Sequence, residues 1–183
     1  PGVSSEKILQ RRRLGLSDAP LAVFVGSAYG PNRDAADFLI RSLASALPML
    51  QVSIIGGVGV QWRETHSQHA LDPNVRIHGF VAAEELLELL QTADLALNPI
   101  ATGSGTNIKM LDYMAAGLAI VTTPAGARGL EGVSGEHWIE CPLENFVETT
   151  RQMLAADRAI LGRHARKLAE ERYDWRTIAE HYA

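Results

Sequence analysis

A chain of 183 residues, of which 46% are hydrophobic and 21% charged, has the composition of a folded protein and room for one well-packed core or two small ones. The formal net charge of −4 is mild, which excludes whole-molecule attraction to nucleic acid or to an anionic membrane as the working principle. The single cysteine, Cys141, excludes an internal disulfide framework and favours a reducing compartment.

Residues 1–20 precede the first strand pattern and are predicted to be a linker or a terminal helix. The basic run Arg11–Arg13 in this segment is expected to be solvated rather than to form a binding patch. The segment has no initiator Met and no signal-peptide pattern, and no apolar run reaches the roughly 18 residues of a membrane-spanning helix. We therefore expect residues 21–183 to form one domain of a longer protein.

Six short, mostly apolar segments have the pattern of strands buried on both faces, with Gly, Pro or Asn at most of their ends. Helical periodicity follows several of them, notably over residues 32–47 and 82–93, and only helices are predicted from residue 143 onward. The predicted strands are Leu21–Gly26, Gln51–Gly57, Val75–Phe80, Leu95–Ile100, Ala119–Pro124 and His137–Cys141.

Alternation of strand and helix predicts an α/β fold, in which a Rossmann-like parallel sheet has helices on both faces and further helices follow at the C-terminus. Ligands of such sheets bind beyond the carboxyl ends of the strands. The loops after the strands are therefore the places where a functional site is expected.

Two loops contain glycine patterns. In IIGGVGVQW, Gly57 and Gly59 imitate a dinucleotide-binding fingerprint, but Trp62 occupies the third glycine position, so we interpret the stretch as a turn. In GSAYGPNRD, a helix begins beside the end of the first strand, where free backbone N–H groups and Arg33 suit a phosphate. The alternative is that Asn32 caps this helix and Arg33 is solvated.

The stretch GSGTNIKMLDYMAAG joins small residues to a short helix. Gly103, Ser104 and Gly105 would let a ligand approach the backbone closely, and Thr106 is the predicted N-cap. The buried face of the helix is predicted to consist of Ile108, Leu111 and Ala115.

Lys109 and Asp112 lie on another side of this helix, three residues apart. They could form a surface pair that contributes a few tenths of a kcal/mol. Alternatively, both could face the crevice, with the ammonium on a diphosphate and the carboxylate accepting hydrogen bonds from a ribose diol. Their spacing is compatible with both arrangements.

The remaining candidates have simpler structural explanations. His66, His69 and His78 do not show the spacing of metal ligands, so no metal is predicted. Cys141 closes a predicted core strand and is expected to be inert.

Four blocks of sequence carry a family resemblance when taken together and in order. They are FVGSAYGPNRDAADFLIRSL, NVRIHGFV, ELLQTADLALNPIATGSGTNIKMLDYMAAGLAIVTTPAGARGLEG and RYDWRTIAEHY. They resemble the C-terminal, donor-binding half of a GT-B glycosyltransferase and are most similar to the retaining family-four group, glycosyl transferases group 1. The resemblance covers the chain from about residue 21 to its end.

The resemblance implies a role for each matching position. The family has two glutamates separated by seven residues: the second, which holds the ribose, corresponds to Asp112, and the first, which contacts the donor sugar, corresponds to Ser104. Ser27 stands where an arginine for the diphosphate is usual, so Lys109 or Arg33 is expected to supply that charge. The implied catalytic residues are Lys109 and Arg33, and the implied donor-binding residues are Gly26, Ser27, His78, Phe80, Ser104, Gly105, Thr106, Asn107 and Asp112, with the base held by residues 78–81.

The implied function is transfer of a sugar from a nucleoside diphosphate sugar to an acceptor, with retention and without metal, cofactor or nucleic acid. Lys109, Arg33 and the amides of Thr106 and Asn107 would stabilise the charge on the departing nucleoside diphosphate. The N-terminal acceptor domain is missing from this chain, so donor binding without turnover is expected.

The setting implied is bacterial polysaccharide biosynthesis in the cytoplasm, with peripheral association of the full-length enzyme at the inner face of the membrane. Two alternatives stay open: another GT-B enzyme such as a sugar-nucleotide epimerase, and a non-catalytic nucleotide-binding module.

Overall fold

A six-stranded parallel β-sheet forms the centre of the computed structural model, which describes residues 5–174. Its strand order is β3-β2-β1-β4-β5-β6, so the predicted Rossmann-like sheet is confirmed. The strands end slightly before the predicted limits because the chain bends at the Gly and Pro residues that close them. They are β1 (Leu21–Val25), β2 (Gln51–Ile55), β3 (Val75–Gly79), β4 (Leu95–Asn98), β5 (Ala119–Thr122) and β6 (Ile139–Glu140).

Helices connect the strands and cover both faces of the sheet. A π-helical turn, Leu39–Leu43, joins α2 to α3, and a 3₁₀ turn, Leu143–Asn145, leads into α8. Within residues 5–174, no helix combines the length and the apolarity needed to cross a membrane. The helices are α1 (Ser5–Arg13), α2 (Gly30–Phe38), α3 (Ala44–Ala46), α4 (Gly57–Thr65), α5 (Ala83–Thr92), α6 (Lys109–Ala115), α7 (Pro124–Ala127), α8 (Phe146–Ala155) and α9 (Arg158–Arg172).

The central strand β1 separates two hydrophobic cores. Ala22 and Phe24 point into the core that includes side chains of α2, α4 and α8, whereas Leu21 and Val23 point into the core that includes side chains of α5, α6 and α9. Burial of one large apolar side chain stabilises a fold by roughly 1.5–3 kcal/mol. Because both faces of these strands are buried, their residues are apolar at successive positions and do not alternate between apolar and polar. The last block of the family resemblance, which begins at Arg172, lies mostly outside the described residues.

The N-terminal segment is attached to the domain by a buried arginine. Arg11 on α1 is fully buried, donates from Nε and Nη2 to the carbonyl of Thr92, and pairs with Asp94 at 2.6 Å. The prediction that this basic run is solvated is therefore wrong for Arg11, because Asp94 neutralises its charge. Removal of one partner of such a pair costs about 3–5 kcal/mol.

The stretch IIGGVGVQW contains the end of β2 and the start of α4, and the turn expected there is confined to Gly56 between them. Gly56 adopts a φ of 98°, which lets the chain turn directly from β2 into the helix. Gly59 packs so closely that a Cβ atom there would lie 2.6 Å from a methyl of Ile77. The glycines thus serve close packing of α4 on β2 and β3.

Helix α6 begins later and buries a different face than predicted. It starts at Lys109, with Ile108 at the N-cap position, because the side chain of Thr106 instead lies against Gly129. Met110, Tyr113 and Met114 are the buried residues of this helix. The predicted face is wrong: Ile108 is 71% exposed, Leu111 is only half-buried and Ala115 is exposed.

Candidate functional site

A crevice of about 570 Å³ opens beyond the carboxyl ends of β1 and β4. The strand order reverses between these two strands, which is where parallel α/β sheets bind their ligands. β1 and β4 pair only at Ala22 with Leu95 and at Val23 with Ala96. Further along, the N–H of Val25 donates to the hydroxyl of Tyr113 at 2.8 Å. The early end of the pairing leaves room for the crevice.

Four segments brought together by the fold line the crevice: the β1–α2 connection with the first turn of α2, the loop after β4, the first turn of α6 and the start of α7. Tyr29, Pro31, Asn32, Thr102 and Ala125 also line it. None of them is among the donor-binding residues predicted from the sequence, although most lie within the loops where a site is expected. The sequence-predicted site residues that line it are Gly26, Ser27, Ser104, Gly105, Thr106, Asn107, Lys109 and Asp112.

The amine of Lys109 is the central cation of this crevice. Its Nζ donates to Asn32 Oδ1 at 2.5 Å and lies 4.4 Å from the centre of the Phe24 ring. The ion pairs formed by residues 5–174 include neither Lys109 nor Asp112. Burial lowers the pKa of Lys109 to about 7. The surface pair considered from the spacing is therefore absent, and the lysine faces the crevice without an acidic partner.

Asn32 connects the walls of the crevice. Its Oδ1 accepts from Lys109 on α6, and its Nδ2 donates to the carbonyl oxygen of Ser27 at 3.1 Å and to Ser27 Oγ at 3.3 Å. The alternative that Asn32 caps α2 is wrong: Tyr29 is the N-cap residue of α2 and no side chain caps that end. The amide in the first turn of α2 was visible in the sequence, but its link to Lys109 depends on contact with α6.

Asp112 lies one helical turn beyond Lys109, on the rim of the same crevice. Asp112 is an exposed residue, and desolvation of part of its carboxylate raises the pKa of that group. A carboxylate at this position can accept hydrogen bonds from hydroxyl groups of a ligand.

The loop after β4 is held in place by the α7 segment. Arg128 donates from Nη1 to the carbonyl of Gly103, and Asn107 donates from Nδ2 to the carbonyl of Ala125 at 3.3 Å. Gly103 has a φ of 122°, a conformation that side-chain-bearing residues rarely adopt. These contacts fix the backbone that faces the crevice.

His78 lies on β3 and Phe80 directly follows that strand, and neither is among the residues that line the crevice. His78 is half-buried, with Nε2 3.1 Å from Ser53 Oγ, and burial lowers its pKa. Phe80 is 83% exposed, and its ring lies over Gly57, where a Cβ atom would be 2.9 Å from the ring. An exposed ring at this edge of the sheet is available to a ligand that extends from the crevice toward β3.

Arg33 lies in a neighbouring groove of about 560 Å³ between α2 and α4, together with Asp37, Trp62 and His66. There His66 stacks on Trp62 with ring centroids 4.5 Å apart, and Trp62 donates to Asp37 at 3.0 Å. Contact between Arg33 and an anion in the crevice stays a prediction. Within residues 5–174, no group of three or more His, Cys, Asp or Glu side chains could hold a metal ion.

The geometry defines what the crevice can do chemically. A buried amine without an acidic partner attracts an anion strongly, because the low-dielectric surroundings screen its charge poorly. The adjacent loop offers backbone groups at close approach, and Asp112 offers an acceptor for hydroxyl groups. The crevice therefore suits a ligand that combines negative charge with a diol.

Comparisons with known proteins place this chain in a family. The family described as glycosyl transferases group 1 matches residues 19–156. No significant match was found among curated proteins.

Solved structures of low sequence identity share the fold. The C-terminal domain of the glycosyl transferase group 1 protein LpcC from Francisella tularensis has a TM-score of 0.71 at 15% identity, over 94% of this chain and 95% of that domain. HepE from Anabaena, in complex with UDP, has a TM-score of 0.78 at 19% identity, over 98% of this chain and 52% of HepE. Sucrose-phosphate synthase from Thermosynechococcus elongatus has a TM-score of 0.74 at 21% identity, over 94% of this chain and 46% of the synthase.

This chain thus spans about half the length of the larger two proteins. Their likeness shows the fold, while the family match extends over well more than half of this sequence. The chain belongs to the glycosyl transferases group 1 family.

Proposed function

We propose that this chain is the donor-binding domain of a glycosyltransferase and that the crevice holds a nucleoside diphosphate sugar. The observation that carries the proposal is the amine of Lys109, which lies in the crevice wall without an acidic partner. A diphosphate supplies the missing negative charge. The family of the chain and the UDP bound by HepE, which has the same fold, support the choice of ligand.

Each part of the donor has a matching part of the crevice in this proposal. Lys109 contacts the diphosphate, Asp112 accepts hydrogen bonds from the ribose hydroxyls, and Ser104 lies toward the sugar. The base extends toward residues 78–81, where Phe80 is exposed.

The chemistry proposed is departure of the nucleoside diphosphate from the sugar, with retention of configuration. Lys109 and the amides of Thr106 and Asn107 stabilise the negative charge that develops on the leaving diphosphate, and Arg33 adds to it from the adjoining helix. No metal or protein nucleophile takes part. The acceptor binds to a further domain of the full-length enzyme, which we place at the cytoplasmic face of a bacterial membrane in polysaccharide synthesis.

Calorimetry with UDP, GDP, ADP, their nucleosides and NAD tests the ligand class. We expect one nucleoside diphosphate to bind more tightly than NAD, since the crevice lacks a dinucleotide-binding glycine loop. Lys109→Ala should weaken binding of that diphosphate by about 1.5–3 kcal/mol, the value of a charged hydrogen bond, and leave nucleoside binding unchanged.

The matched control is Lys167→Ala, which removes an equal charge from the exposed side of α9, where Lys167 pairs with Glu171. It should leave both affinities unchanged. Tighter binding of NAD than of every diphosphate, or equal affinity of Lys109→Ala and the parent protein, would overturn the proposal.

A further inference from the structure

The contact between Asn32 and Lys109 is unusual in its chemistry, because a neutral group holds a mostly buried cation. Buried amines in proteins are normally paired with a carboxylate. Here the partners of Lys109 are the amide oxygen of Asn32 and the face of the Phe24 ring. Both orient the amine, and neither neutralises it.

Both ends of the Asn32 amide are fixed by what they contact. Nδ2 faces the carbonyl oxygen of Ser27, which can only accept a hydrogen bond, so the NH₂ group must lie on that side. Oδ1 therefore faces Lys109. An aspartate at position 32 would have the same size, but one of its oxygens would face the Ser27 carbonyl and the other would form an ion pair with Lys109.

We propose that Asn32 is a positioning residue that aims Lys109 into the crevice while leaving its charge free for an anionic ligand. The inference rests on the proposed function, since the ligand is the diphosphate of the donor. It explains why an amide and not a carboxylate stands beside the cation: an internal counter-ion would compete with the diphosphate for the same amine.

The charged and titratable neighbours of Lys109 in the crevice are few. Asp112 follows on α6, and Tyr29 lies on the connection before α2. Neither forms an ion pair with the amine. A new carboxylate at position 32 would therefore be the strongest charge acting on Lys109.

The test is Asn32→Asp, measured by calorimetry with UDP, GDP, ADP and their nucleosides. Affinity for the diphosphate that binds the parent most tightly should fall at least about tenfold, because the ligand must displace an ion pair and meets an added negative charge. Nucleoside affinity should stay unchanged. The matched control, Asn145→Asp, adds the same charge at the exposed residue before α8 and should leave all affinities as in the parent.

The proton uptake that accompanies diphosphate binding distinguishes a positioning role of Asn32 from a merely structural one. Above neutral pH the amine of the parent is largely deprotonated, so diphosphate binding should take up a proton, seen as a dependence of the binding enthalpy on the buffer. In Asn32→Asp the amine is already charged, and this uptake should disappear. A variant that was only poorly folded would bind less diphosphate and less nucleoside and would keep the proton uptake.

A measurement without nucleotide keeps the two proposals distinguishable. Titration of ¹⁵N-labelled lysine followed by NMR should show Lys109 with a higher pKa in Asn32→Asp than in the parent. If the parent binds no nucleoside diphosphate, the proposed function fails, and the ligand-directed role of Asn32 fails with it. If the parent binds one but Asn32→Asp binds it equally well, or Lys109 titrates alike in both proteins, the role of Asn32 alone is overturned.

Discussion

At the scale of single residues, the crevice depends on side chains whose chemistry is set by their neighbours. Lys109 and Asp112 are one helical turn apart and do not pair, because Lys109 extends toward Asn32 on another element. Residue spacing could not decide this, since it left a surface pair and a shared ligand equally compatible. The three-dimensional position of Asn32 decides it.

Asp112→Asn tests whether this carboxylate contacts a ribose. The affinity of a ribonucleoside diphosphate should fall, while that of its 2′,3′-dideoxy analogue should change little, because only the former donates hydrogen bonds to Asp112. A double-mutant cycle between the side chain and the ribose hydroxyls should give a coupling energy of roughly 1 kcal/mol or more. Additive losses, measured by calorimetry, would show that Asp112 and the ribose do not touch.

At the scale of helices and strands, close backbone approach determines how α9 sits on the sheet. Gly162 lies in the interior of α9, and a Cβ atom there would be 2.1 Å from the carbonyl oxygen of Gly117. Gly117 itself has a φ of 68° in the connection from α6 to β5. The helix can cross this connection closely only because residue 162 has no side chain, whereas a Cβ atom at Gly117 would have no neighbour closer than 3.8 Å and glycine is favoured there by its positive φ.

The variant Gly162→Ala tests whether helix propensity or packing against Gly117 dominates the stability at this position. Propensity alone predicts stabilisation by up to about 1 kcal/mol, since Ala favours helix more than Gly. The clash with backbone predicts the opposite, a loss of about 1–3 kcal/mol from overpacking. We expect the clash to dominate and thermal unfolding to occur several degrees lower.

The control is Gly105→Ala, because a Cβ atom at Gly105 would have no heavy atom within 4 Å. Its unfolding temperature should match that of the parent. A Gly162→Ala variant as stable as the parent would mean that α9 can move away from Gly117 at little cost.

At the scale of the whole molecule, the parallel sheet could be predicted from the sequence because burial on both faces leaves a local pattern, whereas that pattern does not give the order of the strands. The start of α6 at Lys109 could not be predicted, since the side chain of Thr106 lies against Gly129 in a distant part of the chain. The same applies to Arg11 and Asp94, which pair across 83 residues. The crevice was thus predictable in position and partly in composition, but not in its hydrogen bonds.

Lys109 should contribute to the pH dependence of the free energy of unfolding. Its pKa is about 7 in the folded protein against a usual value of 10.5. The unfolded chain therefore binds more protons between these two values, so this group makes the free energy of unfolding rise with pH across that window. Below the window both states are protonated and the contribution is constant.

Urea unfolding of the parent and of Lys109→Met measures this contribution as a difference. From about pH 6.5 to about pH 9, the parent should gain about 2 kcal/mol of stability relative to the variant. Subtraction removes the shared effects of His78 and Asp112, whose pKa values are also shifted by burial. Parallel pH profiles would mean that Lys109 keeps an ordinary pKa in the folded protein.

The central place of β1 has a consequence for synthesis on the ribosome. β1 can pair with β2 once both have been made, but its other edge has no partner strand until β4, which begins at Leu95. At roughly 5–20 residues per second, the 70 residues from Val25 to Leu95 take roughly 4–14 s to make. During that interval an apolar strand edge is open to pairing with other chains. A nascent chain that stalls before β4 therefore keeps this edge open to association with other chains.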